Sequence, residues 1–408
     1  MTFYGKMLAG ALALTTVGLA APSLAQQPAA AAPAQIKISR KAQPAMIALQ
    51  TAVNANDTAK IPGAIAAAQA VAETKEDRYF LGQLQLKAAL AAKDDAQVAA
   101  ASEVILNSGM ANADTVRVLR INKAKSRYQA KDYAGAQAEL QAVLAADANN
   151  SDAMLLLAES YEGGGNSQQA LATFQRAIAS RQASGQPVPA EWRKRAVAIA
   201  YNRKLPTLPA VVVDWIRSSP TSDNVRDAAR IIGDSSGLSD GDQIDLFRLQ
   251  RAAGALKGES DYYRYANTAL IKGFPGEAKT VLDQGFASNA INKSRPVFTS
   301  VYTSASSKVA ADKANLGATE RSGLAATTAR QALVAGDVFL GYGDYAKAAA
   351  LYRAALTKSG ADSSLINLRL GQALALSGDK AGASTAFTAV SGPQQSTAQL
   401  WAAWTASR

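Results

Sequence analysis

Cysteine and histidine are both missing from these 408 residues. Their absence excludes disulfides, thiol nucleophiles, imidazole bases and most zinc or iron sites together. An enzyme built on this chain would have only carboxylates, lysines, tyrosines and serines to work with. Aromatics make up just 6% of the chain although 48% of it is hydrophobic, and alanine supplies much of that difference. β-Branched residues are sparse. The bias favours closely packed helices over sheets. Hairpin signals are absent too: Asp240-Gly241 is the nearest, and its flanks read as helical. No P-loop, dinucleotide fingerprint, nucleophile elbow or zincin motif occurs, so neither a cofactor nor a metal is expected.

The first residues read MTFYGKMLAGALALTTVGLAAPSLAQQ. Lys6 supplies a positive start, Met7 to Ala21 an apolar run, and Ser23-Leu24-Ala25 a small-x-small cleavage site. The pattern resembles a secretory signal peptide over 1–25, cleaved after Ala25. The run is shorter than the roughly 20 residues a membrane span needs. Without a cysteine after it, no lipid anchor is expected. The mature chain is expected to be exported to a periplasm and not to span a membrane. Residues 26–41 open with the low-complexity stretch QQPAAAAPAQ, which reads as a flexible linker.

Beyond residue 25 the chain carries 42 Lys+Arg against 32 Asp+Glu. A basic exported chain suits anionic surroundings such as a cell-wall polymer, lipid head groups or an acidic protein. The alternative is a solubility feature spread over the whole surface. Nucleic acid is not expected, because no stripe interleaves basic and aromatic residues.

From about residue 42 helical patterns of about 12–15 residues alternate with short Gly, Asp, Asn, Ser or Pro breaks. One spacing recurs in the second helix of four pairs. Asp132, Ala136 and Leu140 form the first copy, and Asn166, Ala170 and Phe174 the second. Asp344, Ala348 and Tyr352 form the third, and Asp379, Ala383 and Phe387 the fourth. Ala136 to Ala170 is 34 residues, and Ala348 to Ala383 is 35. A small residue followed three later by a large apolar one lies upstream: Ala158 and Tyr161, Gly336 and Phe339, Gly371 and Leu374. Two antiparallel helices approach closely only where small residues let the backbones meet, and a bulky neighbour fills the space beside the contact. The Asp or Asn between them can cap the second helix. A glycine just before it (Gly165, Gly343, Gly378) suits a left-handed helix end.

Leu-Gly-x-x-Tyr followed by Ala-x-x-x-Phe at a period of 34 residues resembles the tetratricopeptide repeat. The match is clear over 118–180 and 329–392. A further copy begins at Trp192 and Ala196 and closes at Pro220, with Leu208 where the alanine should stand. The resemblance implies an all-α fold, an α-solenoid of stacked antiparallel helix pairs. The organisation is then repeat-like helices over 42–221, degenerate repeats over 222–290, polar bridging helices over 291–328, and a repeat pair with a capping helix over 329–408. The 291–328 stretch reads as a long helix pair able to serve as a hinge. In 395–408, Leu400, Trp401 and Trp404 share one helical face and are expected to cover the end of the last repeat; stacking on a sugar is the alternative.

In this family the first helix of each repeat lines a concave groove that holds a peptide or a partner's helix. By matching position, the groove candidates are Asn122, Lys125, Tyr128, Gln129, Glu159 and Glu162, then Asp337, Arg369 and Gln372. One subclass grips a peptide's C-terminal carboxylate with a Lys/Asn/Arg set. Here Ile121 replaces its first lysine, which argues against that mode.

Other clusters read as structural. Asp240, Asp242 and Asp245 resemble the start of a calcium loop, but Ile244 and Arg251 occupy positions a calcium loop needs for ligands. Glu191 to Arg195 with Arg203 and Lys204 reads as a solvated helix face, and otherwise as a contact for an anionic polymer. Tyr262, Tyr263 and Tyr265 with Arg264 read as repeat packing, or else as a binding ledge. Glu159 and Glu162 could act as an acid-base pair on a glycan, but nothing distinguishes them from a polar face. The expected function is a non-catalytic periplasmic scaffold for a protein or peptide of the cell envelope. The competing reading is a cell-wall or polysaccharide-binding protein that uses its basic surface, and an enzyme ranks third.

Overall fold

The computed structural model describes residues 36–238 and 243–408. The leader, most of the linker, and Ser239, Asp240 and Asp242 lie outside the described residues. The described residues contain twenty α-helices, one short 3-10 turn and no strand. They form two compact units, one ending at Gln186 and one beginning at Pro187. The sequence reading carries its first repeat block on to 221.

Unit 1 holds four helix pairs. They are α1 (Gln43–Asn54) with α2 (Ile61–Val71), α3 (Lys75–Ala92) with α4 (Asp95–Ser108), α5 (Ala113–Gln129) with α6 (Tyr133–Ala146), and α7 (Ser151–Gly163) with α8 (Ser167–Ala183). Each apolar seam is dominated by small and aliphatic side chains, such as Ala124, Ala136, Leu140 and Leu157 between α5, α6 and α7. The N-terminal segment is tied down at Asp77. Its carboxylate accepts from the backbone N–H and hydroxyl of Ser39, both at 2.8 Å, and closes a capping box with Thr74 at the start of α3.

Unit 2 begins with α9 (Ala190–Asn202), α10 (Leu208–Ser218) and α11 (Ser222–Ser235). It continues through α12 (Ile244–Ala252), α13 (Gly258–Ile271) and α14 (Pro275–Ala287). Then comes α15 (Pro296–Ala325), one continuous helix of 30 residues where the sequence reading expects a pair. It lies against α14 at one end and against α16 (Ala329–Tyr342) and α17 (Tyr345–Leu356) at the other. Its last carbonyls lack a capping residue. Lys358 supplies the cap from outside, donating to the carbonyls of Leu324 and Ala326 at 2.9 and 2.6 Å. The unit ends with α18 (Ser363–Ser377), α19 (Lys380–Thr388) and α20 (Gln395–Ala406).

The expected caps form. Asp132, Asn166, Asp344 and Asp379 each accept a backbone N–H three residues on, at 2.8–3.2 Å. Gly343 and Gly378 end their helices with φ of 80° and 92°. At the equivalent position before Asp132, Lys131 adopts φ 61° and bears the strain a glycine would avoid. The four repeat alanines, Ala136, Ala170, Ala348 and Ala383, are fully buried. The small residue of the preceding helix receives an aromatic ring in the C-terminal pair. A Cβ at Gly336 would lie under 3.0 Å from the Tyr352 ring, and one at Gly371 equally close to the Phe387 ring.

The C-terminal helix does cover the last repeat: Leu400, Trp401 and Trp404 are buried, and Trp401 stacks on Phe387 with centroids 6.2 Å apart. It does more than that. α20 also packs on α10, α11 and α12, so the run of hairpins in unit 2 returns on itself. The Trp401 indole N–H donates to the Asp245 carbonyl at 2.8 Å, joining residues 156 apart in sequence.

Candidate functional site

The groove residues expected from the sequence fall into two very different settings. In unit 1, α5 and α7 are first helices of their pairs. On α5 the residues Asn122, Lys125 and Gln129 recur at helical spacing, and Lys125 and Gln129 are exposed while Asn122 is half-buried. Tyr128 is half-buried and packs edge-on against Tyr133 at 5.6 Å, so much of its ring supports the hairpin. Glu159 and Glu162 on α7 are half-buried.

The charges around this face are partly committed. Glu139 on α6 accepts from Arg120 at 2.7 Å and Lys123 at 2.6 Å, and Lys123 also pairs with Glu103 of α4. Burial works against the charge of Glu139, but these two cations outweigh it and hold its carboxyl below the usual range. Helices α4, α5 and α6 are thereby laced together.

In unit 2 the three remaining candidates are not on a surface. Asp337, Arg369 and Gln372 are at most 5% exposed. They belong to a buried polar cluster drawn from six helices. Arg248 of α12 binds Glu277 of α14 with two parallel bonds of 2.8 Å and donates to Asp245 at 3.1 Å. Tyr265 of α13 donates to Glu277 at 2.7 Å. Arg369 of α18 pairs with Asp337 of α16, and Tyr352 of α17 donates to Asp337 at 2.8 Å. Gln372 donates to Asp245 at 3.1 Å, across 127 residues of chain. The first-helix positions that a repeat would show to a partner therefore satisfy one another here. The reason is the closure by α20, which brings α12 against α18 and α20.

The cluster is electrostatically uneven. Burial opposes the charge on Asp245 and Glu277, but the neighbouring guanidiniums overcome it and hold both carboxyls low. Asp337 is the exception: burial pushes its carboxyl up, and Asp245 adds to the push. Burial also drives the phenols of Tyr265 and Tyr352 well up. Arg248, Glu277 and Tyr352 carry no signal as a site in the sequence. Asp245 stands out there only as part of a calcium-like run, and in the structure it is paired with Arg248 and Gln372 instead. Among the described residues no group of acids is arranged to hold a metal ion. No described helix is long and apolar enough to cross a membrane.

An open polar cleft of about 520 Å³ lies between the start of α7 and the end of α8, lined by Asn149, Asp152, Ser180, Arg181 and Gln186 among others.

Residues 127–186 and 333–396 each match the tetratricopeptide repeat family. These two segments carry tetratricopeptide repeats and together cover under a third of the chain. The matched segments are α5's last turn through α8 in unit 1, and α16 through the start of α20 in unit 2. No curated protein matches this chain significantly in sequence. Among solved structures, a chain of Naa15/Naa10 bound to HypK-THB is 16% identical, with 85% of this chain and 63% of that one covered, at a TM-score of 0.31. A tetratricopeptide repeat protein from Parabacteroides merdae is 12% identical over 82% of this chain and 100% of its own, also at 0.31. The APC/C hetero-tetramer Cut9-Hcn1 gives 12% identity, 88% and 66% coverage, and 0.22. This chain thus spans less than two thirds of the length of the first and third of these. The superpositions are loose.

Proposed function

We propose that this chain is a non-catalytic scaffold of the periplasm that binds a protein or peptide partner of the cell envelope. The tetratricopeptide repeats support a protein-interaction role, and the leader-like residues 1–25 support export. The observation that carries the reading is the contrast between the units. On α5 the first-helix positions Lys125 and Gln129 are exposed beside half-buried Asn122 and Tyr128. At the matching positions of unit 2 the polar groups bind one another. The binding face is therefore assigned to α5 and α7 of unit 1, with Asn122, Lys125, Gln129, Glu159 and Glu162 as contacts. A preformed rigid surface of this kind gains affinity from central apolar contacts, with rim charges setting specificity.

The test is affinity capture from an envelope extract with the chain starting at Gln26, then repeated with Lys125→Glu combined with Gln129→Ala. Loss of one captured protein at unchanged helicity supports the α5 face. Undiminished capture of every protein by the variant overturns it. Tyr128 is left intact because its ring packs on Tyr133.

A second reading rests on where the basic excess lies. Residues 187–408 carry 26 Lys+Arg against 18 Asp+Glu, whereas residues 26–186 carry 16 against 14. A basic unit 2 suits an anionic cell-wall polymer. Binding to isolated wall polymer that weakens steeply with salt, and that residues 187–408 are required for, supports this second reading; salt-insensitive or absent binding overturns it.

A further inference from the structure

Unit 2 encloses more acid than base. Asp245, Glu277 and Asp337 face Arg248 and Arg369, and none of the five is more than 5% exposed. With all five ionised, one negative charge is left uncompensated where water does not reach. A buried charge without a partner shifts its protonation equilibrium and neutralises. The question is which carboxyl takes the proton.

The donors decide it. Glu277 receives both arms of Arg248 and the Tyr265 hydroxyl, all within 2.8 Å. Asp245 receives Arg248 and Gln372 at 3.1 Å, with Arg369 Nε at 3.4 Å. Asp337 has Tyr352 and one arm of Arg369, and Arg248 comes no closer than 3.9 Å. It shares Arg369 with Asp245 and has that one guanidinium in bonding reach, whereas Asp245 has two, so it is the carboxyl with the least cationic compensation. The other charged groups against α16 meet it away from Asp337: Asp312 of α15 accepts from Tyr342, Lys313 of α15 lies over the Tyr342 ring, and Lys347 of α17 pairs with Glu320 over the Phe339 ring.

We propose that Asp337 holds a proton in the closed form of unit 2, and that losing it as the pH rises loosens the seat of the C-terminal helix. The link to α20 is Asp245. Its carboxylate competes with Asp337 for Arg369, and its backbone carbonyl accepts the Trp401 indole N–H. Ionising Asp337 draws Arg369 away from Asp245 and places two carboxylates in repulsion beside that carbonyl. The Tyr352 hydroxyl can both donate and accept, so it can serve either state of Asp337. Burial holding the Asp337 carboxyl up agrees with this assignment.

Two measurements on the full chain test the proposal. The first is infrared spectroscopy of chain labelled with ¹³C in the aspartate carboxyls. Wild type should keep the band of one un-ionised aspartic acid at about pH 6, where exposed aspartates, titrating near 4, are ionised. Asp337→Asn should lack it. No such band in wild type, or a band that survives in Asp337→Asn, overturns the assignment. The second is hydrogen exchange of the 395–406 segment from about pH 5 to about pH 10, corrected for the chemical rate. Protection of that segment should fall with rising pH in wild type and stay level in Asp337→Asn. The same pH dependence in both, or none in wild type, overturns the link to α20. If Asp337→Asn does not fold, Tyr352→Phe takes its place: losing the Tyr352 hydrogen bond should shift the frequency of the un-ionised band if Asp337 carries it, an unshifted band overturns the assignment, and a wild-type exchange profile level with pH overturns the link to α20.

Discussion

The Trp401 indole N–H reaches the backbone carbonyl of Asp245 at 2.8 Å, and both groups are buried. That single bond joins the last helix of unit 2 to the helix that carries the first members of its ionic cluster. Trp401→Phe keeps an aromatic ring to stack on Phe387 but orphans the carbonyl. A buried acceptor left unsatisfied costs about 1–3 kcal/mol. Trp401→Ala also removes the ring and leaves a cavity, at about 3–5 kcal/mol. Denaturant unfolding of the two variants should rank them in that order. Equal midpoints for Phe and wild type would show that the bond contributes nothing.

Close approach between helices makes a second expectation. A Cβ at Gly371 would collide with the Phe387 ring, which is itself pinned by Trp401. Gly371→Ala should therefore destabilise by about 1–3 kcal/mol through overpacking, although alanine is the better helix former. Gly63 is the control. It lies in α2 with nothing within 4 Å of its Cβ position. Gly63→Ala should stabilise by roughly 0.5–1 kcal/mol. Thermal melts of both variants read the two signs directly.

These contacts show what was legible in the sequence. The period, the caps at Asp132, Asn166, Asp344 and Asp379, and the small-residue notches are local, within one hairpin. Spacing alone reports them. The closure by α20 was not legible, because the pairing of Trp401 with Asp245 links residues 156 apart and no period marks it. The same holds for the candidate site. Asp337, Arg369 and Gln372 sit at first-helix positions that a continuing solenoid would leave open. Only the return of the chain to α12 turns them inward. The single helix over Pro296–Ala325 was misread as a pair because its narrow apolar stripe of Phe298, Val301, Ala305 and Gly323 leaves the rest of its surface polar, like a loop-rich segment.

Removing a cation from the buried cluster should be severe. Arg248 holds Glu277 bidentately and Asp245 at 3.1 Å, with Asp337 nearby. Arg248→Met leaves three carboxyls facing Arg369 alone. Breaking a buried pair from one side costs about 3–5 kcal/mol. The effect should be confined to unit 2, so hydrogen exchange should rise in α12, α14 and α18 and stay unchanged over α5–α8. Unaltered exchange in unit 2 would mean that the cluster is not structurally required.

Acid should unfold unit 1 through identifiable carboxylates. Burial raises the cost of a charge on Asp77, but the hydrogen bonds from Ser39 and Thr74 outweigh it and hold its carboxyl below the usual range. A folded-state value below the unfolded value of about 4 means that the unfolded chain binds the proton more readily. The stability that Asp77 contributes is then fully present above about pH 4 and drains away as the pH falls through its lowered folded value. Glu139, held low by Lys123 and Arg120, follows the same sign. In Asp77→Asn the Ser39 and Thr74 donors keep a neutral acceptor that does not titrate. The variant should be less stable than wild type at neutral pH, with the gap closing below about pH 4. Equilibrium unfolding of residues 36–186, followed in the full chain by exchange of the α3 segment at a series of pH values, measures that gap. A gap that stays constant from neutral to acid pH would show that the ionised form of Asp77 contributes nothing.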